Sequence, residues 1–106
     1  MKTELLAVIG QISELLRACN WPDKAVWFTQ KQDLLSKLSP SDEEFKRELF
    51  EIEKIITGMG SFSDLPLYPS QKSGLSEKQA AEKQWRLTNQ LTELIRKIGG
   101  VPNRTT

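Results

Sequence analysis

Thr3-Glu4-Leu5-Leu6-Ala7-Val8-Ile9-Gly10-Gln11-Ile12-Ser13-Glu14-Leu15-Leu16-Arg17-Ala18-Cys19 decides the fold class. Leu5, Val8, Ile9, Ile12, Leu15, Leu16 and Cys19 recur at three- and four-residue steps. At 100° per residue they fall on one face, with Glu14 and Arg17 opposite, so an amphipathic helix is expected over about 3–19. Asn20-Trp21-Pro22-Asp23 ends it and starts the next. Proline suits a first helical turn, where its missing N–H is no loss, and Asp23 favours the helix dipole there.

The same periodicity continues outward. Residues 22–38 carry Trp27, Phe28, Leu34, Leu35 and Leu38 on one broad face. Lys24 and Lys31 fall within that face, where alkyl stems can cover apolar surface while the amines reach water. Ser39-Pro40-Ser41-Asp42 is the next break, and Ser41 with Glu44 has capping-box spacing. A third helix, 41–57, has Phe45, Leu49, Ile52 and Ile56 as its core stripe, and Gly58 suits the left-handed position after it. The fourth, 77–98, starts from a second capping box, Ser76 with Gln79, preceded by Leu75 as a hydrophobic staple. Ala80, Leu87, Leu91, Leu94 and Ile98 form its core face, widened by Ala81, Trp85, Thr88 and Ile95. Gly99-Gly100 stops it, leaving 101–106 as a frayed tail. No segment alternates with the period of a strand, no repeat is present, and no heptad run suits a coiled coil. The expected fold is all-α: a single domain, 1–106, built as an antiparallel four-helix bundle with a long structured loop over 58–75.

That loop is the least generic part of the chain. It is longer than most connections between packed elements, which suggests that it has a task. It runs Gly58-Met59-Gly60-Ser61-Phe62-Ser63-Asp64-Leu65-Pro66-Leu67-Tyr68-Pro69. Gly58 and Gly60 close the preceding helix, Phe62 and Leu65 are expected in the core, and Asp64 is expected to bond nearby backbone N–H groups. Met59, Leu67 and Tyr68 are candidate contact residues for a partner.

Composition removes several functions. The chain has no histidine, hence neither the commonest general base nor the commonest zinc ligand. One cysteine cannot build a thiolate metal site or an internal disulfide, and Cys19 is expected as a buried thiol in a reducing cytoplasm. Gly58-Met59-Gly60 closes a helix rather than opening one, so it is not a dinucleotide-binding loop. The expectation is a protein without catalytic residues, metal or cofactor. A net charge of +1 supplies no global attraction to nucleic acid or to an anionic membrane. Lys83, Arg86, Arg96 and Lys97 are interrupted by Glu82 and Glu93, unlike a nucleic-acid-binding stripe. No apolar run approaches a membrane span, and no signal peptide is read.

The charge is nevertheless segregated. Residues 39–57 hold six acids against three bases, and 76–106 reverse this with six bases against three acids. Glu44, Glu48 and Glu51 occupy a narrow arc beside the core stripe of the third helix, away from Lys46, Arg47 and Lys54. Like charges four apart cost a few tenths of a kcal/mol on a helix. Either solvent tolerates them, or they form an exposed acidic strip for a cationic partner.

Gly58-Met59-Gly60-Ser61-Phe62-Ser63-Asp64-Leu65, placed after a helix with an apolar end, resembles a family of small helical bacterial proteins. Their motif is of the type Gly-Met-Gly-Ser-Phe-Asn-Asp-Leu, with Ser63 here in place of the asparagine. The likeness covers roughly residues 3–68, and the fourth helix contributes nothing to it. Members resemble immunity proteins of toxin–immunity pairs, such as those of contact-dependent growth inhibition. The resemblance implies a cytoplasmic protein that covers the active site of a cognate toxin domain, often a nuclease with a cationic cleft. The alternative is a helical adaptor or assembly subunit with no toxin partner.

Overall fold

The computed structural model describes residues 2–57, 62 and 65–98. Four helices follow one another: α1, Lys2–Ala18; α2, Pro22–Ser36; α3, Glu43–Thr57; and α4, Glu77–Ile98. A short 3-10 turn, Gln71–Ser73, precedes α4. No strand occurs among the described residues. The protein is an all-α, four-helix bundle-like domain, as the periodicity predicts.

α1 packs against α2 and α4, and α3 against α4 and, more sparingly, α2. The core joins the apolar stripes of all four helices, including Ile9, Ile12 and Leu16 of α1, Phe28 and Leu35 of α2, Phe45, Leu49, Ile52 and Ile56 of α3, and Leu87, Leu91 and Ile95 of α4. Phe62 and Leu67 join it from the connection. Cys19 is buried, and desolvation pushes its thiol pKa up, away from the reactive thiolate.

The α1–α2 turn is a Schellman closure. The Trp21 N–H bonds to the Leu16 carbonyl at 2.8 Å and the Asn20 N–H to Arg17 at 3.4 Å. Asn20 takes the required left-handed backbone, with φ of 67°. Pro22 then opens α2 at its first turn. Polar groups between these helices are matched: the buried Ser13 hydroxyl donates to the Ala25 carbonyl at 2.9 Å and meets Thr29 Oγ1 at 2.7 Å. Gln32 Nε2 donates to the Leu6 carbonyl at 2.8 Å. That side chain crosses Gly10, where a Cβ would lie 2.8 Å from Gln32 Nε2.

Three local expectations need correction. α3 starts at Glu43, and Ser41 bonds Ser39 through both its hydroxyl and its N–H rather than forming a capping box with Glu44. Asp42 closes the turn instead, its carboxylate accepting the Ser39 N–H at 2.9 Å. Trp85 and Ala81 do not widen the core face of α4: both are exposed, Trp85 by 72%. At 100° per residue they lie further round the same flank than Ile95, which is fully buried. The second capping box does form. The Gln79 N–H donates to Ser76 Oγ at 3.1 Å, and the Ser76 N–H to Gln79 Oε1 at 2.9 Å.

Candidate partner-binding surface

The acidic arc of α3 turns toward α2, and its three carboxylates have different fates. Glu44 is exposed. Glu48 and Glu51 both bind Lys31 of α2, Glu51 at 2.8 Å. The strip is therefore not a uniformly exposed one: the Glu48 side chain is 12% accessible, that of Lys31 15%, and that of Glu51 47%. The amine of Lys31 meets carboxylates rather than water, and it also lies 5.1 Å from the centroid of the Trp27 ring. Partial burial lowers the Lys31 pKa, but the hydrogen bonds and charges of Glu48 and Glu51 together outweigh it and hold the pKa above its ordinary value. The hydrogen bond from Lys31, then its charge, holds Glu51 below the ordinary carboxylate value. Two carboxylates share one ammonium, and the charges of Lys54 and Arg47 on α3 also act on Glu51.

Beside this cluster, α2 and α3 part to form a groove of about 320 Å³. Its apolar lining is Trp27 and Phe28 of α2, Ile55 of α3, and Phe62 and Leu65 of the connection. Phe28 and Phe62 meet edge to face, with ring centroids 6.0 Å apart, and Trp27 is 5.0 Å from Phe28 in the same manner. Asp23 and Lys24 border the groove at the N-terminal end of α2. Lys31 lies one turn beyond Trp27, and Glu51 one turn before Ile55, so the ion cluster bounds the other end.

The connection is tied to the helices by side chains. Gln84 Nε2 of α4 donates to the Phe62 carbonyl at 2.7 Å and the Leu65 carbonyl at 2.9 Å. Trp21 Nε1 donates to the Pro66 carbonyl at 3.0 Å, and Asn20 Nδ2 to that of Tyr68 at 3.1 Å. The Ser70 N–H reaches the last turn of α1, bonding the Ala18 carbonyl at 2.8 Å. Gly74, at a φ of 73°, turns the chain toward α4.

Of the residues expected to hold the loop, Phe62 is buried in the core. Gly58, Gly60 and Asp64 lie outside the described residues, as does the contact candidate Met59. Leu67 is corrected from a contact residue to a core residue: it is only 8% exposed, because Pro66 and Tyr68, pinned through their carbonyls on either side, leave its side chain turned inward. Tyr68 is 61% exposed. Sequence reasoning missed Ile55, which is 43% exposed and walls the groove, and the anchors Trp21 and Gln84. Gln84 had a readable signal. It lies four residues after Ala80 and three before Leu87, a polar side chain within a core stripe, which requires a bonding partner inside.

Among the described residues, no group of three or more His, Cys, Asp and Glu is placed to hold a metal ion. No described helix is long and apolar enough to cross a membrane. Compared with protein-family models, with curated proteins and with solved structures, the chain matches none of them.

Proposed function

We propose that this chain is an immunity protein, which binds a cognate bacterial toxin domain of the cationic nuclease type and neutralises it by covering its active site. One observation carries the reading: an accessible carboxylate, Glu51, stands one helical turn from Ile55 of an apolar groove on the α2–α3 side of the bundle, and exposed Glu44 lies on the same arc toward the start of α3. Acid at the edge steers a cationic cleft into place, and desolvated apolar contact then slows dissociation. The protein has only to stay folded and present this surface.

Growth protection tests it. Cells expressing the toxin domain encoded beside this chain are expected to grow when the chain is co-expressed and to stop without it. A chain that neither protects nor co-purifies with that domain is not its immunity protein.

A second reading, a helical adaptor or assembly subunit, is favoured by exposed aromatic side chains elsewhere. Trp85 and Tyr68 are the most exposed of the large apolar residues described, and neither lines the groove. Co-purification of a multi-subunit assembly in place of a toxin would select this reading.

A further inference from the structure

The groove between α2 and α3 has a definite size, lining and polarity. We propose that it is an anchor pocket for one aromatic or long aliphatic side chain of a partner protein, flanked in that partner by a basic residue that meets Glu51. The inference rests on the proposed function only for which protein brings the side chain.

Size limits the occupant. About 320 Å³ is at the lower end of ligand-sized cavities, which run to roughly 1,000 Å³, and is room enough for one large side chain. The lining selects its chemistry. Phe28 and Phe62 are buried, and their edge-to-face packing fixes the floor before anything binds. Trp27 is held by Phe28 on one side and by the Lys31 amine over its ring. A pre-formed pocket needs little ordering when its guest arrives. Ile55 is the exposed wall, an apolar side chain left at 43% accessibility next to the acidic arc.

Charge selects the neighbour. Lys31 engages Glu51 through Oε1 alone, and the Glu51 side chain stays about half exposed, so its second oxygen can accept from a cation outside, in competition with Lys54 and Arg47 of its own helix. Glu44, on the same arc, is exposed as well.

The test uses the whole chain and two probes, N-acetyl-Trp-Arg-amide and N-acetyl-Trp-Glu-amide, followed by NMR. The Trp-Arg probe is expected to shift the Trp27, Phe28, Ile55 and Leu65 resonances, and the Trp-Glu probe to bind at least about tenfold more weakly. Ile55→Lys, which fills the wall with a cation, is expected to weaken Trp-Arg binding by about tenfold or more. Ile55→Gln serves the same purpose should the lysine variant melt earlier than the native chain. Perturbation around Trp85 or Tyr68 instead of the groove overturns the proposal, as does equal binding of the two probes. So does a solution dimer that Ile55→Lys splits, because the groove would then belong to a second copy. The growth assay separates this proposal from the functional one. Full protection and unchanged toxin affinity with Ile55→Lys removes the anchor and leaves the immunity reading standing. Native protein that fails to protect, yet takes the Trp-Arg probe in its groove, does the reverse.

Discussion

Lys31 Nζ lies 2.8 Å from the Glu51 carboxylate and also binds Glu48, joining α2 to α3 through charge where their direct packing is sparse. This relationship accounts for the like-charged arc on α3. Repulsion between Glu44, Glu48 and Glu51 costs a few tenths of a kcal/mol, and a cation from the neighbouring helix offsets it. Half of the apparent partner surface is thus satisfied within the bundle, and Glu44 with the open side of Glu51 is what remains for another molecule.

The cluster makes stability depend on pH at both ends of the scale. Glu51 is held below its ordinary pKa, so its contribution is complete above the ordinary carboxylate value and is lost as pH falls through the lowered one. Lys31 is held above its ordinary pKa, so its contribution is complete below the ordinary amine value and is lost as pH rises through the raised one. Lys31→Met is expected to cost about 1.5–3 kcal/mol near neutrality, the range for hydrogen bonds to charged groups. Urea unfolding from acid to alkaline pH checks this: the native chain's advantage over the variant should be widest between the two limits and narrow toward both.

Phe62 and Gln84 act together on the connection. Phe62→Ala is expected to cost about 3–5 kcal/mol, as for other buried phenylalanines. Gln84→Ala removes two bonds to carbonyls of that segment and is expected to cost about 1–3 kcal/mol. The double variant should lose less than the sum, because both side chains hold the same backbone. Thermal and urea unfolding of the three variants measure the coupling. An unchanged midpoint for Phe62→Ala would move Phe62 out of the core.

The helices were legible because burial leaves a period in the sequence. Leu5 to Cys19 and Phe45 to Ile56 show it plainly, and their apolar stripes are the buried ones. α2 was less legible: Lys24 and Lys31 interrupt its apolar face, and only the fold shows that Lys31 faces two acids on α3. Leu67 was misread for a similar reason. Leu67 and Tyr68 are neighbours with similar apolar character, and no local pattern tells which turns inward. Their sides are set by bonds from Trp21 and Asn20, more than 40 positions earlier in the chain. Trp85 failed in the opposite direction, since a large aromatic residue near an apolar stripe is ordinarily buried, and here it is not.

Asn20 has two separable tasks, a left-handed backbone and a bond to Tyr68. Asn20→Gly keeps the first and loses the second. The bond is exposed, so the cost is expected to stay within about 0.5 kcal/mol. Asn20→Ala loses both, and the left-handed conformation adds about 1–2 kcal/mol for a residue with a Cβ. Urea unfolding of the pair isolates the backbone effect. If the two variants unfold at the same midpoint, the closure of α1 does not depend on that conformation.

Charge reversal along the arc is expected to divide into two effects. Glu48→Lys sets a second ammonium against Lys31 in a part-buried site, so it should lower the unfolding midpoint before any partner is considered. A loss of toxin protection by that variant would therefore say nothing about the interface. Glu44 makes no ion pair among the described residues, and Glu44→Lys should cost the fold only the unfavourable charge in the first turn of α3, about 0.3–1 kcal/mol. If the chain neutralises a cationic toxin through this face, Glu44→Lys acts as a rim charge, slowing association and flattening its salt dependence while dissociation stays nearly the same. Glu51→Lys should do more, because it both repels Lys31 and removes the carboxylate at the groove. Stopped-flow association at two salt concentrations, with unfolding midpoints measured in parallel, separates these effects. Equal association rates for the native chain and Glu44→Lys at low salt would move the interface away from α3, toward the face that carries Trp85.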